Sequence, residues 1–118
     1  MYHKLILIFI LVFSLQSCSK NKEVKYEPEK KIDPYLTYQE GLNAFENGDY
    51  YYANKKFSEA ELKFTIVEHS AKAAIMSSYA LYGINFYDRA LENLERYLRK
   101  YPADKNVMYA YYLTAIIY

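Results

Sequence analysis

The chain has 118 residues, with 15 basic side chains against 14 acidic ones, one cysteine and 16 tyrosines. This near-neutral balance offers no basic stripe of the kind that nucleic acid requires, so we expect no nucleic acid partner. A single cysteine cannot form a disulfide framework, and His69 is the only histidine beyond the N-terminal segment, so no metal site or other cofactor is expected.

The first 17 residues are predicted to be a signal peptide that is removed on export. Lys4 precedes an apolar stretch, Leu5 to Leu15, which has the length of a signal-peptide core. A membrane-spanning helix needs about 18 apolar residues or more, so this stretch is too short to remain as a permanent span.

The residues Leu15-Gln16-Ser17-Cys18 resemble the lipobox of bacterial lipoproteins, with Gln16 departing from the usual small or β-branched residue. The resemblance implies that the Cys18 thiol carries diacylglycerol and that Cys18 becomes the acylated N-terminus, a stable lipid anchor. Ser19, rather than aspartate, favours sorting to the outer membrane, with the domain facing the periplasm. The alternative is an ordinary signal peptide followed by a stray cysteine.

Residues 18–34 are predicted to be the lipidated cysteine and a flexible linker. The stretch 19–34 places five lysines and four acidic residues around two prolines. Such a segment cannot bury enough apolar surface to become ordered by itself. It would connect the acyl anchor to a folded domain over residues 35–118.

Residues 35–118 are predicted to be all-α, because no alternating apolar and polar run indicates a strand. Asn47-Gly48-Asp49 breaks the first predicted helix pair, and Gly83-Ile84-Asn85 breaks the second. The predicted helices cover residues 35–47, 50–64, 70–83, 86–100 and 106–118.

The helix pairs repeat with a period of 37 residues, which indicates stacked repeats. The pattern matches the tetratricopeptide repeat, normally of 34 residues, with small residues where helices approach closely. The matched positions are Gly41, Ser78 and Ala115; Tyr50 and Tyr87; Ala53 and Ala90; and Phe57 and Leu94. The fold expected is therefore an α-solenoid of two units and the start of a third. Because an unfinished solenoid exposes an apolar edge, we expect the array to continue or to pack on a partner.

Residues that could support catalysis are scarce, so no enzyme is expected. His69 lies in Glu68-His69-Ser70, which is interpreted as a helix cap and linker, and the three glycines form no phosphate loop. The pairs Glu59/Glu61 and Glu92/Glu95 are interpreted as solvated partners of nearby basic residues on helix faces.

The candidate site is a surface for an extended peptide or a helix with apolar anchors. In tetratricopeptide arrays the first helix of each pair lines a concave groove, and seven of the eleven residues placed there are aromatic. The alternative is that several of them pack between helices or against residues 19–34. The predicted groove residues are Tyr35, Tyr38, Leu42, Phe45, Lys72, Ile75, Tyr79, Tyr82, Tyr109, Tyr112 and Ile116.

The order of lipobox, charged spacer and tetratricopeptide units resembles the BamD (ComL) family, the lipoprotein of the outer-membrane β-barrel assembly machinery. The resemblance covers residues 1–118, corresponding to the N-terminal half of that family. The segment Phe64–His69 departs from the family, which usually has an aromatic-proline pair and a polar stretch ending in tryptophan. The resemblance rests on Tyr38–Gly41 with Gly48–Tyr50, on Ser77–Tyr82, on Ala90–Leu98, and on Tyr101-Pro102 followed by Tyr109–Leu113.

This resemblance implies a periplasmic scaffold, anchored in the outer membrane, that helps to fold and insert outer-membrane proteins. It implies no enzyme activity. Its partners would be the outer-membrane β-barrel assembly protein with its accessory lipoproteins, segments of nascent outer-membrane proteins, and the membrane through the lipid anchor. Two alternatives remain: another tetratricopeptide lipoprotein acting in envelope integrity or division, and a lipoprotein enzyme with a catalytic domain in further C-terminal sequence.

Overall fold

The computed structural model of the protein describes residues 2–4, 6 and 31–118. Residues 2–4 and 6 are helical. The predicted cleavage site, Cys18 and most of the predicted linker lie outside the described residues, so the segment boundaries 1–17 and 18–34 stay predictions. Lys31–Tyr118 forms a compact unit by itself.

Five α-helices follow one another along this unit, and no residue between 31 and 118 lies in a β-strand. Each helix packs against the next one in the chain. The predicted all-α array of helix pairs is therefore confirmed. The helices are α1 (Pro34–Glu46), α2 (Tyr50–Lys63), α3 (Val67–Gly83), α4 (Tyr87–Lys100) and α5 (Val107–Ile117).

Helix α3 begins three residues before its predicted start, whereas every other predicted end lies within one residue of the observed one. The residue before it, Ile66, offers no side-chain cap, so the sequence carries no signal of the start. Ser70 lies inside the helix, and its hydroxyl donates back toward the carbonyls of Phe64 and Ile66, at 3.4 and 3.5 Å. The interpretation of residues 68–70 as a cap and linker is therefore wrong.

The turns inside the two helix pairs have the same hydrogen bonds, 37 residues apart. In the first turn, Gly48 N–H donates to Phe45 O at 3.0 Å, and Asp49 N–H donates to Ala44 O at 2.9 Å. In the second turn the equivalent bonds, Asn85 to Tyr82 and Phe86 to Leu81, measure 2.9 and 3.0 Å. The left-handed position is Gly48 in one turn, with φ 77°, and Asn85 in the other, with φ 60°.

The small residues of the repeat bring the helices of each pair into close contact. A Cβ at Gly41 would lie 2.8 Å from the ring of Phe57, so only glycine fits against that ring on α1. Ser78, the equivalent residue on α3, is fully buried and accepts a hydrogen bond from Asn93 Nδ2 at 2.9 Å. Ala53 and Ala90 are also fully buried, as the repeat predicts.

Helix α3 lies at the centre of the unit and contributes to both hydrophobic clusters. The first cluster joins α1, α2 and one face of α3 around Phe57. The second joins the other face of α3 to α4 and α5 around Leu94 and Tyr97. Helix α3 can pack on both sides because its buried residues are mostly alanine and serine, which occupy little volume. The first helices of the three units therefore share one layer of the stack.

Glu61 connects the second helices of the two units. Its side chain is buried, and its carboxylate accepts hydrogen bonds from Arg96 at 2.6 and 2.8 Å, from Lys100 at 3.2 Å and from Tyr101 at 2.9 Å. The interpretation of Glu61 as a solvated helix-face residue is therefore wrong. In contrast, Glu95 and Arg99 form the expected exposed i,i+4 pair, at 3.6 Å.

Candidate peptide-binding surface

The eleven predicted groove residues all lie on α1, α3 and α5, the first helices of the three units. Helix α1 carries Tyr35, Tyr38, Leu42 and Phe45; α3 carries Lys72, Ile75, Tyr79 and Tyr82; and α5 carries Tyr109, Tyr112 and Ile116. Five of the eleven side chains are exposed, and four are half-buried: Leu42, Phe45, Tyr79 and Tyr82.

Two of the predicted groove residues are buried in the core instead. Tyr38 is 9% exposed and belongs to the cluster around Phe57, while Ile75 is 5% exposed and packs near Leu94. Both lie where their helix contacts the second helix of its pair, so their side chains are buried between the two helices. The prediction that they line an open groove is corrected for these two residues, and the remaining nine stay candidates.

A continuous series of aromatic rings crosses the three first helices. The ring of Phe45 on α1 lies 5.7 Å from that of Tyr79 on α3, which lies 6.1 Å from that of Tyr109 on α5. Tyr82 and Tyr112 extend the series, at 6.1 Å from Tyr79 and 6.3 Å from Tyr109. We call these five residues the aromatic ladder. Such rings offer flat apolar area and polar hydroxyls at a small entropic cost.

A second aromatic group encloses a cavity of about 180 Å³ between the start of α1 and the start of α3. Tyr35, Phe64 and His69 contact one another edge-on or tilted, with centroids 5.0 to 5.4 Å apart. The Lys72 ammonium lies 5.8 Å from the centroid of the Tyr38 ring, which also lines the cavity. Sequence reasoning missed Phe64 and His69 because it placed Phe64 at the end of a predicted helix and His69 in a cap and linker.

Burial raises the pKa of several tyrosines in this unit, among them Tyr38, Tyr97 and Tyr101. In the ladder, burial and then the neighbouring Tyr79 hydroxyl raise the pKa of Tyr109 to about 12. The Tyr38 hydroxyl has no hydrogen-bond partner within the described part of the chain, which leaves burial as the cause of its raised pKa.

We expect the unit to lose stability as the pH rises from about 10 to about 12. Unfolded tyrosine releases its proton near pH 10, while the folded residues keep theirs to higher pH, so the folded state binds more protons. By linkage, raising the pH through this window favours unfolding. Urea midpoints at pH 8 and 11, with tyrosinate absorbance followed at 295 nm, test this expectation. An equal midpoint at both values would contradict it.

The described residues give no indication of a metal centre, since none of them form a group of three or more histidine, cysteine, aspartate or glutamate side chains suited to an ion. No helix within residues 2–4, 6 or 31–118 combines the length and apolar character needed to cross a membrane. The nine candidate residues that are not buried offer aromatic rings, tyrosine hydroxyls, two aliphatic side chains and the Lys72 ammonium group.

Helix pairs with a 37-residue repeat and an aromatic face on their first helices define a protein of the tetratricopeptide-like α-solenoid class. Residues 30–118 match the model of the YfiO family, described as outer membrane lipoprotein. The chain belongs to this family, and the resemblance noted from the sequence is confirmed.

Several curated relatives carry the name outer membrane protein assembly factor BamD. The relative from Caulobacter vibrioides is 30% identical over 112 residues, which cover 92% of this chain and 36% of the relative. The relative from Pasteurella multocida is 26% identical over 109 residues, covering 92% of this chain and 40% of the relative. The relative from Neisseria meningitidis serogroup A is 26% identical over 116 residues, which cover 97% of this chain and 43% of the relative. The chain thus spans less than half the length of these relatives. No solved structure matched it.

Proposed function

We propose that this chain is the N-terminal, substrate-receiving part of an outer-membrane protein assembly factor. Family membership supports a lipoprotein of the outer membrane, and the name shared by the curated relatives supports a role in assembling proteins there. The family match and the names of the relatives also favour this role over one in envelope integrity or division, and over an enzyme.

The observation that carries the proposal is the aromatic ladder. It crosses all three first helices without a break in ring contact, from Phe45 to Tyr112. Tyr109 and Tyr112 are 41% and 61% exposed, so a ligand can reach them. An extended segment with alternate apolar side chains could contact successive rings, because residues i and i+2 of a strand lie about 7 Å apart, close to the spacing of the rings.

The proposal includes the anchor and the partners. Cys18 would carry the acyl chains, and the helical unit would face the periplasm. The ligand would be a segment of a nascent outer-membrane β-barrel protein. The β-barrel assembly protein and its accessory lipoproteins would be the other partners, through parts of the protein that the relatives possess beyond the matched region.

Replacing Tyr112 with alanine is expected to weaken peptide binding about twofold to twelvefold, because one aromatic contact contributes about 0.5–1.5 kcal/mol. The probe is a fluorescent ten-residue peptide with the sequence of the C-terminal strand of an outer-membrane β-barrel protein. Its fluorescence anisotropy against the chain from Cys18 to Tyr118 gives the affinity, and a scrambled peptide of the same composition measures non-specific binding.

The matched control is Tyr51→Ala. Tyr51 is 65% exposed, comparable to Tyr112, but lies on α2 outside the first helices. It should leave the affinity unchanged, and both variants should keep their helicity by circular dichroism. Equal affinities for the two variants, or equal binding of the scrambled peptide by the unmodified chain, would contradict the proposal.

A further inference from the structure

Exposed aliphatic side chains are concentrated at one end of the helical unit. Because the helices alternate in direction, this end contains the start of α1, the α2–α3 loop with the start of α3, and the α4–α5 loop with the start of α5. Contacts across it confirm the arrangement: Tyr35 packs on Phe64, and the Lys105 ammonium pairs with Glu68 at 2.5 Å. We call it the tether end, since the chain enters there at Asp33.

The aliphatic residues of the tether end are highly exposed. Among residues 31–118, six leucine, isoleucine, valine or methionine side chains count as exposed, and five of the six lie in the last or first helical turns or the loops at this end. They are Leu36 at 64%, Leu62 at 78%, Ile66 at 50%, Val67 at 69% and Met108 at 76%. The opposite end instead exposes aromatic side chains such as Tyr51 and Phe86.

Charge follows the same division. The turns and loops of the tether end carry five basic residues, Lys31, Lys63, Arg99, Lys100 and Lys105, against four acidic ones, Asp33, Glu61, Glu68 and Asp104. One of these acids, Glu61, is buried. The opposite end carries one basic residue, Arg89, against three acidic ones, Glu46, Asp49 and Asp88.

We propose that the tether end rests on the lipid surface, with its exposed aliphatic side chains in the headgroup region. Leucine, valine and methionine enter the membrane interface favourably when they lie together on one surface of a protein. The tether end has one more basic than acidic residue, whereas the opposite end has two more acidic than basic residues, so the tether end is the better match to anionic lipid.

The covalent chain supports this choice of surface over another occupant. From Cys18 to Asp33 the chain advances 15 residues, which span at most about 50 Å when fully extended. With Cys18 acylated, this end stays within about 50 Å of the bilayer, which raises the effective lipid concentration that it meets. At a high effective lipid concentration, even a weak intrinsic affinity of the tether end for lipid is enough to keep it on the surface. The proposal rests on the lipid anchor in the proposed function.

The absence of tryptophan from the chain allows a direct test, because one introduced tryptophan is a unique fluorescent reporter. The chain from Cys18 to Tyr118 is coupled through its only thiol to a maleimide lipid in phosphatidylethanolamine–phosphatidylglycerol vesicles. Val67→Trp places the reporter at the tether end, and Tyr51→Trp places the matched control, 65% exposed, at the opposite end. Lipids brominated in the acyl chain quench only a tryptophan that enters the bilayer.

The expected result is a blue-shifted emission and loss of most of the fluorescence for Val67→Trp, with neither change for Tyr51→Trp. Adding Leu36→Asp and Leu62→Asp to the Val67→Trp chain should restore its fluorescence while helicity by circular dichroism stays unchanged. Equal quenching of the two reporters, or none for either, would overturn the proposal. The maleimide supplies the anchor and the peptide measurement uses no vesicles, so this failure would leave the proposed function standing.

Discussion

Replacing Phe57 with alanine is expected to lower the free energy of unfolding by about 3–5 kcal/mol. The ring is fully buried, lies 5.2 Å from that of Tyr38, and fits against Gly41 so closely that no Cβ could stand there. Alanine would leave a cavity that the rigid α1–α2 contact cannot close. A domain typically has a free energy of unfolding of about 5–15 kcal/mol, so the variant should lose a large part of its stability.

Urea denaturation followed by far-ultraviolet circular dichroism measures this effect. The control is Leu62→Ala on the same helix, where the side chain is 78% exposed and the loss should stay within about 0.5 kcal/mol. Equal losses of stability in the two variants would show that the packing of Phe57 does not hold α1 and α2 together.

Replacing Glu61 with alanine is expected to destabilise the unit by about 2–4 kcal/mol. The substitution leaves Arg96, Lys100 and the Tyr101 hydroxyl without their shared acceptor. We expect the lower part of the range usual for buried pairs, because the side chains of Arg96 and Lys100 are 41% and 48% exposed and can turn toward water. Chemical denaturation at pH 7 gives the value. The control is Glu95→Ala, which removes an exposed ion pair with Arg99 and should lower the free energy of unfolding by about 0.5 kcal/mol or less.

The effect of Glu61 should depend on pH with a defined sign. Burial alone raises the pKa of this carboxyl, but the hydrogen bonds from Arg96 and Tyr101 outweigh it, so its pKa lies below the ordinary value of 4.5. A depressed carboxyl pKa stabilises the fold above the unfolded value, and this contribution is lost as the pH falls below it. The difference between Glu61→Ala and the unmodified chain should therefore shrink in acid. A constant difference down to pH 3 would show that Glu61 acts through packing alone.

The repeat made the fold predictable. Small residues spaced by 37, together with the glycine and asparagine of the two turns, define where helices approach and where they end. The sequence could not reveal how Glu61 is used, because its partners lie 35 to 40 residues away on the next unit. An acidic residue flanked by basic ones on an amphipathic helix has the same local pattern whether it faces water or a neighbouring repeat.

The sequence predicted which helices carry the candidate site, but only some of the residues that are open to a ligand. Tyrosine suits both a core and a binding face, so composition could not separate the buried Tyr38 from the exposed Tyr112. The cavity beside Lys72 was not predicted for another reason: His69 lies in α3 because this helix starts three residues earlier than its sequence pattern indicates.

Helix α3 has a consequence for how the unit unfolds. Repeat proteins behave as linear arrays in which each unit has its own stability and a coupling to its neighbour. Here the coupling is large, because α3 supplies Ala73 and Ala80 to one cluster and Ala71 and Ala74 to the other. If one helix pair unfolded, it would expose buried residues of α3 or of the helices that pack on it. The array should therefore unfold as one cooperative body, and the proposed peptide ligand would meet a rigid surface whose units keep a fixed spacing.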